Sequence, residues 1–309
     1  MTDEIILHHY PRSPFAEKVR LVFGLKGLRW RSVIQPRIAP KPMLTALTGG
    51  YRRIPVLQIG ADIYCDTRRI LSELDARFPA PPLYPPGTAG LADIIAAWAD
   101  RELFATALGL VFGLHGDRFP PELHADRAHF TAGQFGGWDS ARMAARIPAL
   151  RDQLRIDLAR IAHALGDGAF LLGPAPSIAD LAVYHPLWYA RGNLTEDDAG
   201  LNRHPRLAAW MARLDTLGHG SMQDLTPEEA LAIARAAVPA AAAPNNSDPS
   251  VPGIGSRVVV TPTDWGFDPV EGELVTAGSE TLALRRHDPA AGDVVVHFPR
   301  GHFQTVFHG

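Results

Sequence analysis

The chain has 309 residues, 46% of them hydrophobic and 20% charged. That is long enough for two or three domains with sizeable cores. The formal net charge of −3 gives no electrostatic case for nucleic acid or an anionic membrane as main partner, and the single cysteine, Cys65, excludes a disulfide framework or a cysteine-rich zinc site.

Residues 4–9 read as a strand, followed by Pro11-Arg12-Ser13-Pro14 and a helix over 14–25 with Phe15, Val19 and Val22 on one face. A second strand spans 28–35, then a Pro-rich loop (35–42) and a short turn. Two further strands flank the Gly60-Ala61-Asp62 turn, and Ile70, Leu71, Leu74 and Phe78 mark a helix over 67–78. This order is that of an α/β thioredoxin-like fold, placed at residues 1–80. "PAPPLYPPG" (79–87) cannot continue a helix and reads as a linker.

An all-α domain is expected over 86–238. Leu91, Ile94, Ile95 and Trp98 mark one helix, and Ile147 to Leu165 another. "APSIADLAVY" opens with Ser177 and Asp180 at capping-box spacing, a structural N-cap, and "TPEEALAIARAA" repeats that logic. Residues 239–251 form an Ala/Pro/Asn/Ser-rich linker. Residues 252–309 then hold about five short strands, a small all-β domain expected as a barrel or sandwich. A unit that small is marginal alone and should lean on the remainder of the protein or on a second subunit.

No signal peptide is evident in MTDEIIL, and the longest apolar run, 103–114, falls well short of the ~20 residues of a spanning helix. A cytoplasmic protein with no membrane partner is expected.

Three motifs in order resemble the glutathione S-transferase family over residues 4–235. "SPFAEKVRLVFGLKG" resembles the omega-class first helix with Ser13 in the cysteine's place. "YRRIPVLQIGADIYCDTRRIL" resembles the glutathione-site stretch, and "LLGPAPSIADLAVY" the capped helix of the C-terminal domain. The final β unit lies outside the resemblance. It implies a serine-type transferase with glutathione as substrate, no metal, a small apolar electrophile as second substrate, a homodimer and a detoxification role.

The implied glutathione site is Arg53, Ile54, Pro55, Asp66 and Thr67. Ile54-Pro55 would be a cis peptide, open to X-Pro bonds and rarely to others, turning the Ile54 backbone out to pair with an extended peptide. Asp66 would hold the ligand's ammonium, and Thr67, at a helix N-terminus, its α-carboxylate. Arg53 would meet the glycine end. Phe15, Arg101, Phe104 and Leu108 would line the electrophile pocket.

Ser13 is the catalytic candidate. Its hydroxyl can donate a hydrogen bond to a thiolate without competing as a nucleophile, at the positive end of a helix. A plain N-cap role is the competing reading. Tyr10 and His9 are reserve candidates for the hydroxyl's task, although His8 and His9, on opposite faces of a strand, both read first as satisfied structural histidines. Cys65 reads as a buried structural thiol. Trp265, Phe267 and "HFPRGHF" (297–303) read as core and turns of the β unit. The alternative function is a non-catalytic scaffold that binds glutathione, an apolar ligand or a protein partner.

Overall fold

The computed structural model describes residues 4–131, 138–240 and 253–307. The chain starts as expected, with β1 (Ile5–His9), α1 (Pro14–Leu25) and β2 (Arg29–Ile34). The segment read as a turn is a helix, α2 (Pro42–Thr48), opened by Pro42 and closed by Gly49 at φ 80°. Strands β3 (Val56–Ile59) and β4 (Asp62–Cys65) form a hairpin around Gly60, and α3 (Thr67–Arg77) follows. Pro14 at the first turn and the Ser13 oxygen accepting from the Ala16 N–H at 3.2 Å start α1. At Gly24 a Cβ would run into the Leu217 and Gly218 carbonyl oxygens, so only glycine lets α1 approach that backbone.

The helical part comprises α4 (Ala89–Trp98), α5 (Phe104–His115), α6 (Pro121–Thr131), α7 (Ser140–Ala145), α8 (Ile147–Leu165), α9 (Ile178–Arg191), α10 (Glu196–Ala199) and α11 (Pro205–Asp215). Ala99–Leu103, between α4 and α5, winds as a π-helix, a local widening that recurs at functional sites. The expected N-cap of α9 is present: Asp180 accepts from the Ser177 backbone N–H at 2.9 Å and from its hydroxyl at 2.7 Å. The same carboxylate takes the Leu171 N–H and the Trp210 indole N–H, so it ties three segments together. Helix α1 packs on α9, and one core runs from Val19, Val22 and Leu71 through Leu158 and Leu181 to Trp210. No helix among the described residues is long and apolar enough to cross a membrane.

Beyond α11 the chain returns to the sheet. Strand β5 (Ser221–Asp224) pairs parallel with β2. Helix α12 (Pro227–Ala236), capped by Thr226 and Glu229, packs on α2 and the sheet rather than among the other helices. The expected linker is outside the described residues from 241 to 251.

The last strands are β6 (Arg257–Pro262), β7 (Val270–Ala277), β8 (Thr281–Asp288), β9 (Gly292–Pro299) and β10 (Phe303–Phe307). They supply the expected C-terminal β unit, but not as a separate barrel or sandwich. Strand β9 pairs parallel with β4, giving one ten-stranded sheet in the order β10-β6-β7-β8-β9-β4-β3-β1-β2-β5. The physical reason is the shared core: Val258, Leu274, Leu284, Val296 and Phe298 pack with Leu44, Tyr51, Ile63 and Leu231. A unit of this size gains the burial it lacks by continuing a neighbour's sheet.

Candidate active site

A cavity of about 230 Å³ lies where the three parts of the chain meet. The starts of α1 and α3 and the Ile54-Pro55 bond form one wall, residues 96–108 the floor, and the loops after β6 and β9 the facing wall.

Ser13 lines the cavity and is itself buried. Its oxygen accepts from Ala16 as a cap, which leaves the hydroxyl proton free to donate, so the capping and chemical readings do not compete. Tyr10 also lines the cavity. His9 does not. Arg20 donates to its Nδ1 at 3.0 Å, its Nε2 lies 3.0 Å from the Ser32 hydroxyl, and Trp30 packs against its ring edge. Burial first, then Arg20, lowers its pKa to about 3. Both ring nitrogens are occupied away from the cavity, so His9 is withdrawn as a reserve candidate.

The Ile54-Pro55 bond is cis. Neither the Ile54 backbone nor the Thr67 hydroxyl has a hydrogen-bond partner among the described residues, and both residues line the cavity. Asp66 caps α3, accepting from the Arg68 N–H at 3.0 Å, and holds φ at 73°. A non-glycine residue there carries about 1–3 kcal/mol of backbone strain, the kind retained at ligand sites. Burial raises the Asp66 pKa, with Arg53 pulling the other way.

Arg53 departs from the expectation. Its guanidinium lies 3.6 Å from Asp66 and bonds the Asp264 carboxylate and the Trp265 carbonyl of the β6–β7 loop. It therefore sits beside Asp66, the residue expected to hold the tripeptide's ammonium.

Phe15, Arg101, Phe104 and Leu108 all reach the cavity. Phe15 and Phe104 meet edge to face at 4.8 Å, and Trp265 lies 5.8 Å from Phe104. Arg101 donates to His302 Nδ1 at 2.8 Å. Beneath them Lys18 donates to Asp100 at 2.6 and 2.8 Å, and His185 Nε2 lies 2.8 Å from the same carboxylate. Burial lowers the His185 pKa to about 4 although Asp100 opposes it.

Sequence reasoning missed Asp264, Trp265, His302 and Lys41. The first three lie on loops whose approach to the cavity depends on the β4–β9 register, which no local pattern encodes. Lys41 had a signal, since Lys-Pro opens α2, but that stretch was read as a turn. Lys41 donates to the Arg52 carbonyl at 3.0 Å, and burial, then Arg52 and Arg127, lower its pKa to about 8. No group of three or more metal-ligating side chains occurs among the described residues.

Two family profiles match the chain: "Glutathione S-transferase, N-terminal domain" over residues 7–82 and "Glutathione S-transferase, C-terminal domain" over 144–213. Among solved structures, a GST-like protein from Pseudomonas syringae is 41% identical, with 99% of this chain and 100% of that chain covered and a TM-score of 0.78. That match extends over the C-terminal strands. FzlA from C. crescentus is 25% identical over 74% of this chain and 92% of its own, with a TM-score of 0.51. The Tau class glutathione S-transferase MiGSTU from mango, Mangifera indica, shares the fold at 17% identity, with 68% of this chain and 88% of that chain covered and a TM-score of 0.51. A search of curated proteins finds no match.

Proposed function

Since the chain belongs to the glutathione S-transferase family, we propose that it activates the thiol of glutathione for attack on an electrophile held in the same cavity. The observation that carries the reading is convergence: Ser13, the cis Ile54-Pro55 bond and the Asp66-Thr67 start of α3 line one cavity.

The Ile54 N–H and C=O pair with the cysteinyl unit of the tripeptide as an added strand would. Thr67 and the free N–H groups opening α3 take the γ-glutamyl α-carboxylate, and Asp66, with Asp264 beyond Arg53, faces its ammonium. Lys41 replaces Arg53 as the cation for the glycine carboxylate. Ser13 then donates its hydroxyl proton in a hydrogen bond to the sulfur.

A hydrogen bond to a charged group contributes about 1.5–3 kcal/mol. That lowers a thiol pKa by about one to two units from ~8.5, raising the thiolate fraction at neutral pH by about tenfold. Proximity of the electrophile, held against Phe104 and Trp265, supplies further acceleration.

The test is Ser13→Ala. Turnover of 1-chloro-2,4-dinitrobenzene should fall by about tenfold or more, while the calorimetric Kd for glutathione changes far less. Unchanged turnover would remove Ser13 from the mechanism. Glutathione binding with no turnover across a broad electrophile panel would replace catalysis with ligand carriage.

A further inference from the structure

The charge of the cavity is opposite to that of the protein. The whole chain carries a formal −3, yet nine Lys and Arg side chains and only four carboxylates line the cavity among the described residues. Asp126, just behind the lining, is shared by Arg52 and Arg127 and brings the acids to five. Glutathione as its thiolate has two carboxylates against one ammonium, about two negative charges at neutral pH. An excess of positive charge remains after it binds.

That excess has a place. Lys18, Arg53, Arg52 and Arg127 each face a carboxylate, while Arg101 donates to His302, Lys41 donates to the Arg52 carbonyl and Arg68 stands in the first turn of α3 beside the tripeptide site. Arg12 and Arg37 have no acidic partner among the described residues: Arg12 reaches only the Gly192 carbonyl, at 3.4 Å, and Arg37 lies 5.4 Å over the Phe119 ring. Arg127 donates to the Arg37 backbone carbonyl at 3.3 Å, and the Arg37 charge acts on the Arg127 guanidinium, which places both in one corner of the cavity. Tyr189 lines the same corner; burial raises its pKa, and Arg37, then Tyr10, Arg127 and Arg12, are the charges that act on its hydroxyl. Leu108, Phe112 and Trp138 provide apolar surface next to these cations.

We propose that the second substrate is an aromatic organic acid, its carboxylate or sulfonate docked between Arg12, Arg37 and Arg127 and its ring laid on Leu108 and Phe112. This rests on the transferase reading above and revises its substrate class, from a purely apolar electrophile to an anionic one. Planar guanidinium forks suit a carboxylate or sulfonate, which they can engage through two parallel hydrogen bonds.

The experiment compares 4-chloro-3,5-dinitrobenzoate with its methyl ester at neutral pH. In each the glutathione sulfur forms a bond to the ring carbon and chloride leaves with its electron pair. The full-length protein should show a KM for the acid at least about tenfold below that for the ester. Arg37→Gln and Arg12→Gln, at exposed positions, should each shrink the acid-to-ester ratio of kcat/KM by about threefold to tenfold. Equal KM values overturn the proposal, and so does a variant that weakens glutathione binding while leaving the ratio intact. If neither compound reacts, the transferase reading fails separately. Calorimetric binding of the same pair to the protein alone then decides: tighter binding of the acid, reduced by Arg37→Gln, supports the anion site, and equal binding ends it.

Discussion

The two walls of the cavity are built by different means. The first wall is local: a capped helix start at Ser13, one cis bond at Ile54-Pro55, and a second capped start at Asp66 within a few residues of a hairpin. The facing wall is remote in sequence. Asp264, Trp265 and His302 arrive there because β9 lies parallel to β4 and carries a whole antiparallel sheet with it. Arg53 joins the walls, with Asp66 on one side and Asp264 and Trp265 on the other. The likenesses to FzlA and the mango protein cover 74% and 68% of this chain, against 99% for the Pseudomonas protein.

Acid should destabilise the chain through the side built on β1 and α9, and this is the largest effect expected. Strand β1 and the floor hold three buried histidines. His8 lies between Gln58 and Gln35, His9 between Arg20 and Ser32, and His185 against Asp100 with Lys18 nearby. Burial lowers the pKa of His8 to about 4, of His9 to about 3 and of His185 to about 4. Below pH 6.5 the unfolded chain takes up protons that the folded chain refuses, so stability falls as pH falls. Each histidine contributes about 1.4 kcal/mol per pH unit between roughly 6.5 and 4. Urea unfolding at several pH values measures the slope. A flat profile across that window would mean these groups are protonated in the folded state.

The next effect separates a shared core from a docked module. Phe298 is fully buried, 6.0 Å from the Tyr51 ring and 5.5 Å from Phe303, so it belongs to both walls' support. Phe298→Ala should destabilise the whole chain by about 3–5 kcal/mol in one transition, followed by tryptophan fluorescence. Two transitions, with the thioredoxin-like part unmoved, would show that the β unit folds on its own account.

What could be read from the sequence follows the same division. Helix starts, the hairpin turn and the X-Pro bond are set by neighbours within four residues, and residues 4–35, 53–78 and 177–191 are legible for that reason, whereas α2 (Pro42–Thr48), expected as a turn, is not. The family motifs then tied Ser13, Ile54 and Asp66 to one ligand. The register that turns five C-terminal strands into a sheet extension is a contact across more than 200 residues, decided by the apolar faces of Ile63 and Val296 meeting. Strand patterns show that a face is apolar and not which face it meets. The Arg53–Asp264 pair is hidden for the same reason, since Asp264 lies in that remote segment.

The smallest expected effect tests whether the second wall touches substrate or merely braces the first. Trp265 contributes to the cavity twice: its carbonyl accepts from Arg53, and its ring lies 5.8 Å from Phe104 and 6.3 Å from Phe130. Trp265→Ala removes the ring and keeps the carbonyl, so it separates these contributions. An aromatic contact of this kind is worth about 0.5–1.5 kcal/mol beyond its buried area. The KM for an aryl electrophile should therefore rise about two- to tenfold, with kcat and the glutathione Kd little changed. A wall that only braces would leave KM alone and lower the unfolding free energy instead. Because Arg53 stays tethered in the variant, a loss of glutathione affinity would point to the ring itself shaping the tripeptide site, and would move the boundary between the two substrates toward Asp66.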